Sequence, residues 1–415
     1  MLGCRQGRPA LLCDSWYLIL ASKMDGFVSD WLNLLLRWSH LIAGIAWIGT
    51  SFYFVALDFS LKKRAGLPAG VAGSAWEVHG GGFYHVQKYL TAPPELPPDL
   101  IWFKWEAYLT WLTGFLLLVV QFYFQASTFL IDPTVLPLLP WQAVAISLVS
   151  MVAGWFAYDG LCRALVGRSD TGLALGVLVL ILVSAYGFTH VFSGRGALIH
   201  VGAFIGTMMA ANVFAVIIPN QRKITASLLK GEVPDPRLGA IGKQRSLHNT
   251  YLTLPVLLMM ISNHYPMLTN HPHAWILVGL VVVGGAALRY FLLRHEVGDP
   301  IGEIAWTLPV IFGALAAALW LTEPVPMIGE GIRVSDNEVL VLTQKHCTMC
   351  HSARPTQTGF KEAPKGVMLD TVEQLRRYAS QIETQAVRNK SMPLGNQTGM
   401  TDEERARLGA WIREQ

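Results

Sequence analysis

The sequence predicts an all-α protein in two parts: a polytopic membrane helix bundle of about eight transmembrane helices, then a small helical module at the C-terminus. Three observations carry this. Hydrophobic residues make up 52% of the 415 and charged residues only 14%, with a mean hydropathy of +0.39. Apolar stretches long enough to cross a bilayer recur as far as about residue 322, and beyond a Pro/Gly run the chain turns polar, with helix-start signals of its own.

The stretches fall at about residues 32 to 57, 108 to 126, 142 to 166, 171 to 192, 197 to 219, 250 to 268, 274 to 293 and 304 to 322. Residues 1–31 form an N-terminal segment. Its apolar part, 9 to 22, is short and broken by Asp14, and Met24 is a candidate true start. The membrane domain is then 32–322, a linker 323–334, and the last module 335–415. Cys4, Cys13 and Cys162 have no partner at metal or disulfide spacing.

Loop charge orients the bundle. Lys62, Lys63 and Arg64 follow the first span, Arg163 and Arg168 the third, six basic residues from Arg222 to Arg245 the fifth, and Arg294 the seventh. Alternate loops are nearly free of Lys and Arg, so the basic loops are expected in the cytoplasm and both termini outside. The net charge of +4 is accounted for by this bias, and no nucleic-acid motif is present.

Polar groups inside spans are costly and each needs an account. Arg37 and His40 share a face of the first span, while His190, His200 and His264 lie at a similar outer depth on later spans. This layer suggests a bis-histidine b-type haem or a substrate cavity, with His40 and His200 the preferred pair; the competing reading is that each ring simply bonds a nearby carbonyl. Asn212, His248 and Asn249 sit near the inner ends of the fifth and sixth spans, as helix caps or interhelical bonds. The roughly fifty-residue loop after the first span holds His79, Gly80 to Gly82, Tyr84, His85 and Lys88. His79, His85 and Lys88 are candidate substrate contacts; the other reading is an amphipathic segment lying on the membrane surface.

In the last module, Cys347, Thr348, Met349, Cys350 and His351 form C-x-x-C-H, the attachment signature of a c-type haem. Two thiols three residues apart on a helical turn reach both porphyrin vinyls, and the next side chain lies under the iron. A zinc knuckle would need a second cysteine pair and a thiol redox pair a thioredoxin-like βαβ pattern, neither of which the chain has. The expected roles are Cys347 and Cys350 for covalent attachment, His351 as proximal ligand and Met392 as distal ligand. Ser335 with Glu338, and Thr401 with Glu404, read as capping boxes opening the first and last helices. From about residue 335 the chain resembles a small class I cytochrome c.

Five runs, Trp38 to Phe54, Trp76 to Tyr89, Trp102 to Gly114, Gly206 to Asn220 and Met260 to Pro266, followed by this module, are similar to the bacterial membrane urate hydroxylases. The resemblance implies oxidation of urate to 5-hydroxyisourate in the bacterial inner membrane, with a periplasmic cytochrome c domain carrying one covalent haem c. It also points to Met392 as a ligand. Electrons would pass to a respiratory acceptor, a soluble cytochrome or a terminal oxidase. The runner-up is a quinol-oxidising respiratory subunit with a tethered cytochrome.

Overall fold

The computed structural model describes residues 26–89, 93, 96–97, 99–323, 333–357, 360 and 362–415. The expected N-terminal segment up to residue 25, and linker residues 324–332, lie outside the described residues.

The chain is mostly helical, and six helices are long and apolar enough to cross a membrane, which fits a membrane protein. Helix α1 is Gly26–Ser60. It is followed by strands β1, Val71–His79, and β2, Gly82–Tyr89, paired antiparallel with His79 opposite Gly82 and Trp76 opposite His85. This hairpin is an element the sequence reading did not give: it occupies part of the long segment expected as a loop, in a chain that is otherwise helical. Gly80 and Gly81 have φ of +57° and +83°, the left-handed pair that a two-residue turn requires, so these glycines close the hairpin.

Helix α2, Trp105–Leu118, ends in a π-helical turn at Val119–Tyr123, and a second such turn covers Ala126–Leu130. Helices α3, Pro140–Leu165, and α4, Asp170–Thr189, follow; Ser169 caps α4 by accepting from the Gly172 amide. Helix α5, Gly194–Ala211, is capped by Ser193 and runs through a π-helical segment, Asn212–Ile217, into α6, Ile218–Leu229. Helix α5 is the axis of the bundle. Its Leu198, Val201, Ile205 and Met208 are fully buried against α3, α4 and α7, the close side-chain packing that holds helices together where lipid removes any hydrophobic drive.

Helix α7, Pro236–Ile261, starts fourteen residues before the expected sixth span, because Asp235 caps it and Pro236 occupies its first turn. Lys243 and Arg245, expected in a loop, are therefore helical. Helix α8, Ala274–Val297, stops at Gly298 in the left-handed conformation, and α9, Thr307–Leu321, is a shorter apolar helix packed on it.

The C-terminal module is built from α10, Asp336–His346, α11, Val372–Arg377, and α12, Asp402–Arg413. Both expected capping boxes form. Val339, Leu375, Leu408 and Trp411 fill its core, each burial contributing about 1.5–3 kcal/mol, and Trp411 Nε1 donates to Asp336 Oδ1 at 2.8 Å. The module rests on one end of the bundle: Gln397 Nε2 donates to Ser127 O at 2.6 Å and Asn270 Nδ2 to Asn389 O at 2.7 Å. Gly395, at φ +56°, lies so close that a Cβ there would sit 3.0 Å from the carbonyl oxygens of both Thr128 and Ile131. The hairpin lies at the other end, beside the terminal turns of α1 and α8.

Candidate functional site

In the C-terminal module the C-x-x-C-H run begins where α10 ends. Cys347 N–H bonds Thr343 O, and His351 N–H bonds Cys347 O at 2.8 Å, so the run keeps a helical turn. His351 Nδ1 lies 2.9 Å from Val367 O; a carbonyl only accepts, so Nδ1 carries the proton and Nε2 keeps its lone pair. Cys347 and Met392 pack on the same core cluster. Burial pushes the Cys347 thiol up to about 12, against the opposing pull of the Arg405 guanidinium, which is the reverse of an activated redox thiol.

The Met392 loop is braced from behind. Arg405 is buried and its Nη1 donates to the carbonyls of Ala386 and of Met392, the latter at 2.6 Å, while Nη2 donates to Asn396 Oδ1 at 3.2 Å. Cys347 and Met392 thus share one core, and Cys350 and His351 follow Cys347 on the same turn, the residue types that would hold a covalent haem. Among the described residues no three His, Cys, Asp or Glu side chains converge into a metal cage, as a zinc reading would need.

The histidine layer is resolved into separate contacts. His200 is fully buried: Nδ1 donates to Gly196 O at 2.7 Å, so Nε2 accepts from Ser147, 2.7 Å away, and Ser147 accepts from Tyr123. Phe122, Phe188 and Phe192 surround the ring. His40 turns to α2 instead, with Nδ1 2.9 Å from Thr110 O. The two rings share no hydrogen-bond partner, and both nitrogens of His200 are engaged within the protein. His190 is exposed and bonds Tyr186 O, while Arg37 donates to Gln121.

Strand alternation sends His85 to the face opposite His79, while Lys88 shares the His79 face. His79 lines a cavity of about 580 Å³ with Tyr53, Ser60, Glu77, Tyr84 and Glu296, and Tyr53 donates to Glu77 at 2.6 Å. His85 is on the opposite face, stacked on Trp76 with ring centroids 4.4 Å apart. Lys88 is taken up by an ion pair with Asp58, which also holds Lys243 at 3.1 Å.

Sequence reasoning missed two buried arginines. Arg245 on α7 is only 2% exposed; Nη2 donates to Asp159 at 2.7 Å and Nη1 to Asn212 at 3.2 Å. Asn212 also donates to Tyr158 and Asn249, and the Tyr158 hydroxyl lies 2.7 Å from His248 Nδ1. The π-helical segment of α5 begins at Asn212 and so supplies a corner of this network. Arg289 on α8, also 2% exposed, has no carboxylate partner among the described residues; its Cζ stacks 3.5 Å from the Phe52 ring centroid on α1, and Nε and Nη2 find no acceptor. For Arg289 the available signal was an arginine inside a predicted span; Arg245, in an expected loop, had none.

This is a helical bundle with membrane-length helices and buried cationic sites, joined to a small module bearing a C-x-x-C-H turn. The model of the family described as urate oxidase N-terminal matches residues 26–322, and the chain belongs to that family. No curated protein and no solved structure matches the chain.

Proposed function

We propose that this protein is a membrane oxidoreductase that oxidises urate to 5-hydroxyisourate and passes the electrons through a c-type haem in its C-terminal module to the respiratory chain. The observation that carries the reading is the family match over residues 26–322, nearly the whole bundle. In the reaction urate and one water yield 5-hydroxyisourate, two protons and two electrons. A c-type haem, when bound, supplies one-electron acceptance at a potential raised by a methionine ligand.

The chain's own residues divide the work. His351 is held by Val367 O with Nε2 left to bind iron, Arg405 fixes the loop that presents Met392, and contacts at Ser127, Asn270 and Gly395 seat the module on the bundle. A seated module shortens the path that each electron travels. The bundle supplies what a planar monoanion requires, namely buried guanidinium groups and aromatic faces. Membranes containing the protein, given urate and a soluble one-electron acceptor without oxygen, should consume urate and accumulate 5-hydroxyisourate with two acceptor equivalents reduced per urate. Acceptor reduction by quinol with urate untouched would move the protein to the quinol-oxidising reading.

A further inference from the structure

The geometry points to Arg289 as the residue that binds the urate anion, in a site between α1 and α8 entered from the hairpin end. The assignment rests on the urate reading above and adds to it a residue and a direction of entry. Burying a cation is among the costliest arrangements in a fold unless an anion meets it, so an unmet buried guanidinium inside a membrane helix needs a reason. Arg245, at the same end of the bundle, has Asp159 2.7 Å away. Arg289 has no such partner among the described residues: Glu296 is two turns along the same face and acts on it only through its field.

The two nitrogens without an acceptor are Nε and Nη2. Their N–H bonds lie along one edge of the guanidinium plane and point the same way, forming the fork that binds two adjacent acceptor atoms at once. Urate presents such edges, with ring nitrogen and carbonyl oxygen side by side in a flat anion. Phe52 fixes the orientation of the fork by stacking on the guanidinium face, and the rings of Tyr251 and Tyr290 lie on the two helices packed around it.

The entry follows from helix geometry. The cavity of about 580 Å³ lies between the hairpin and the ends of α1 and α8; Phe52 and Arg289 do not line it, but Ala56, one turn from Phe52, and Glu296, two turns or about 10 Å from Arg289, do, which sets the direction from which an anion reaches the guanidinium. Its volume suits a small ligand. Its outer wall is the hairpin face carrying Glu77, His79 and Tyr84. His79 thereby keeps a place beside the substrate's route, whereas His85 and Lys88 have none.

The test is urate binding to the detergent-solubilised full-length haem protein, by equilibrium dialysis and by urate-dependent thermal shift, comparing wild type with Arg289→Met and Arg289→Lys. Removing one side of a buried charge pair weakens binding by about 30-fold or more, and this is expected for Arg289→Met. Arg289→Lys keeps the charge but loses the fork, so it should fall between. Without urate, Arg289→Met should melt no lower than wild type, since it removes an unmet buried charge, and urate should raise the wild-type midpoint most, that of Arg289→Lys less and that of Arg289→Met least. A variant that is stable without urate and binds urate within about threefold of wild type overturns the assignment and leaves the function reading standing. Failure of wild type itself to bind urate removes both.

Discussion

Replacing Arg405 by methionine should loosen the loop that carries Met392 and destabilise the C-terminal module in one step. The guanidinium donates to the carbonyls of Ala386 and Met392 and to Asn396 Oδ1, and it is 4% exposed. Hydrogen bonds from a charged donor contribute about 1.5–3 kcal/mol each, and the variant leaves acceptors unmet in a closed core. Because methionine recovers part of the packing and the loop relaxes, the net loss is about 3–5 kcal/mol. For a module of this size that lowers the midpoint of thermal unfolding by about 12 °C or more. The assay is thermal unfolding of the full-length protein followed by haem absorbance, together with a redox titration. A lower haem potential should accompany the loss of stability, since a displaced loop withdraws the thioether. A melting midpoint within a few degrees of wild type, with an unchanged potential, would refute the view that Arg405 holds this loop.

Three other outcomes are expected. Met392→Ala should leave the haem covalently bound and lower its potential, and an unchanged potential would assign the distal ligand elsewhere. Partial burial raises the Glu404 carboxyl, but Lys345, the Thr401 amide and His346 outweigh it and hold it at about 2. Its contribution to stability is therefore full above about 4.5 and is lost as pH falls toward 2, so Glu404→Gln should flatten acid unfolding of the module across that window, and a persisting acid limb would assign it to other groups. Gly395→Val places a side chain where a Cβ is already 3.0 Å from two carbonyl oxygens, in a backbone conformation that favours glycine; urate-driven haem reduction should slow while reduction by dithionite stays complete. Equal rates with urate would mean that seating the module at this face is not required.

What the sequence made legible was local in origin. The capping boxes at Ser335 and Thr401 depend on residues three apart, and both form as read. The spans around α3, α4 and α8 were legible because apolar length alone specifies them. The hairpin had a local signal too, a Gly-Gly pair between Val71–His79 and Gly82–Tyr89, but the segment was read as part of a long loop. Arg245 was read as a loop charge because the start of α7 is fixed by Asp235 and Pro236 ahead of the apolar run. Burial of Arg289, the engagement of His200 by Ser147 and the π-helical segment at Asn212 are decided by neighbouring helices, and no pattern within one segment encodes them.

In the proposed reaction urate delivers electrons to the C-terminal module of the same chain. The most direct test is anaerobic addition of urate to membranes containing the protein, with terminal oxidases blocked, while the ferrous c-haem band is followed by difference spectroscopy. Urate should reduce the wild-type haem promptly, and Cys347→Ala should lose the covalent haem signal. A wild-type haem that stays oxidised with urate but is reduced by quinol would contradict that reaction.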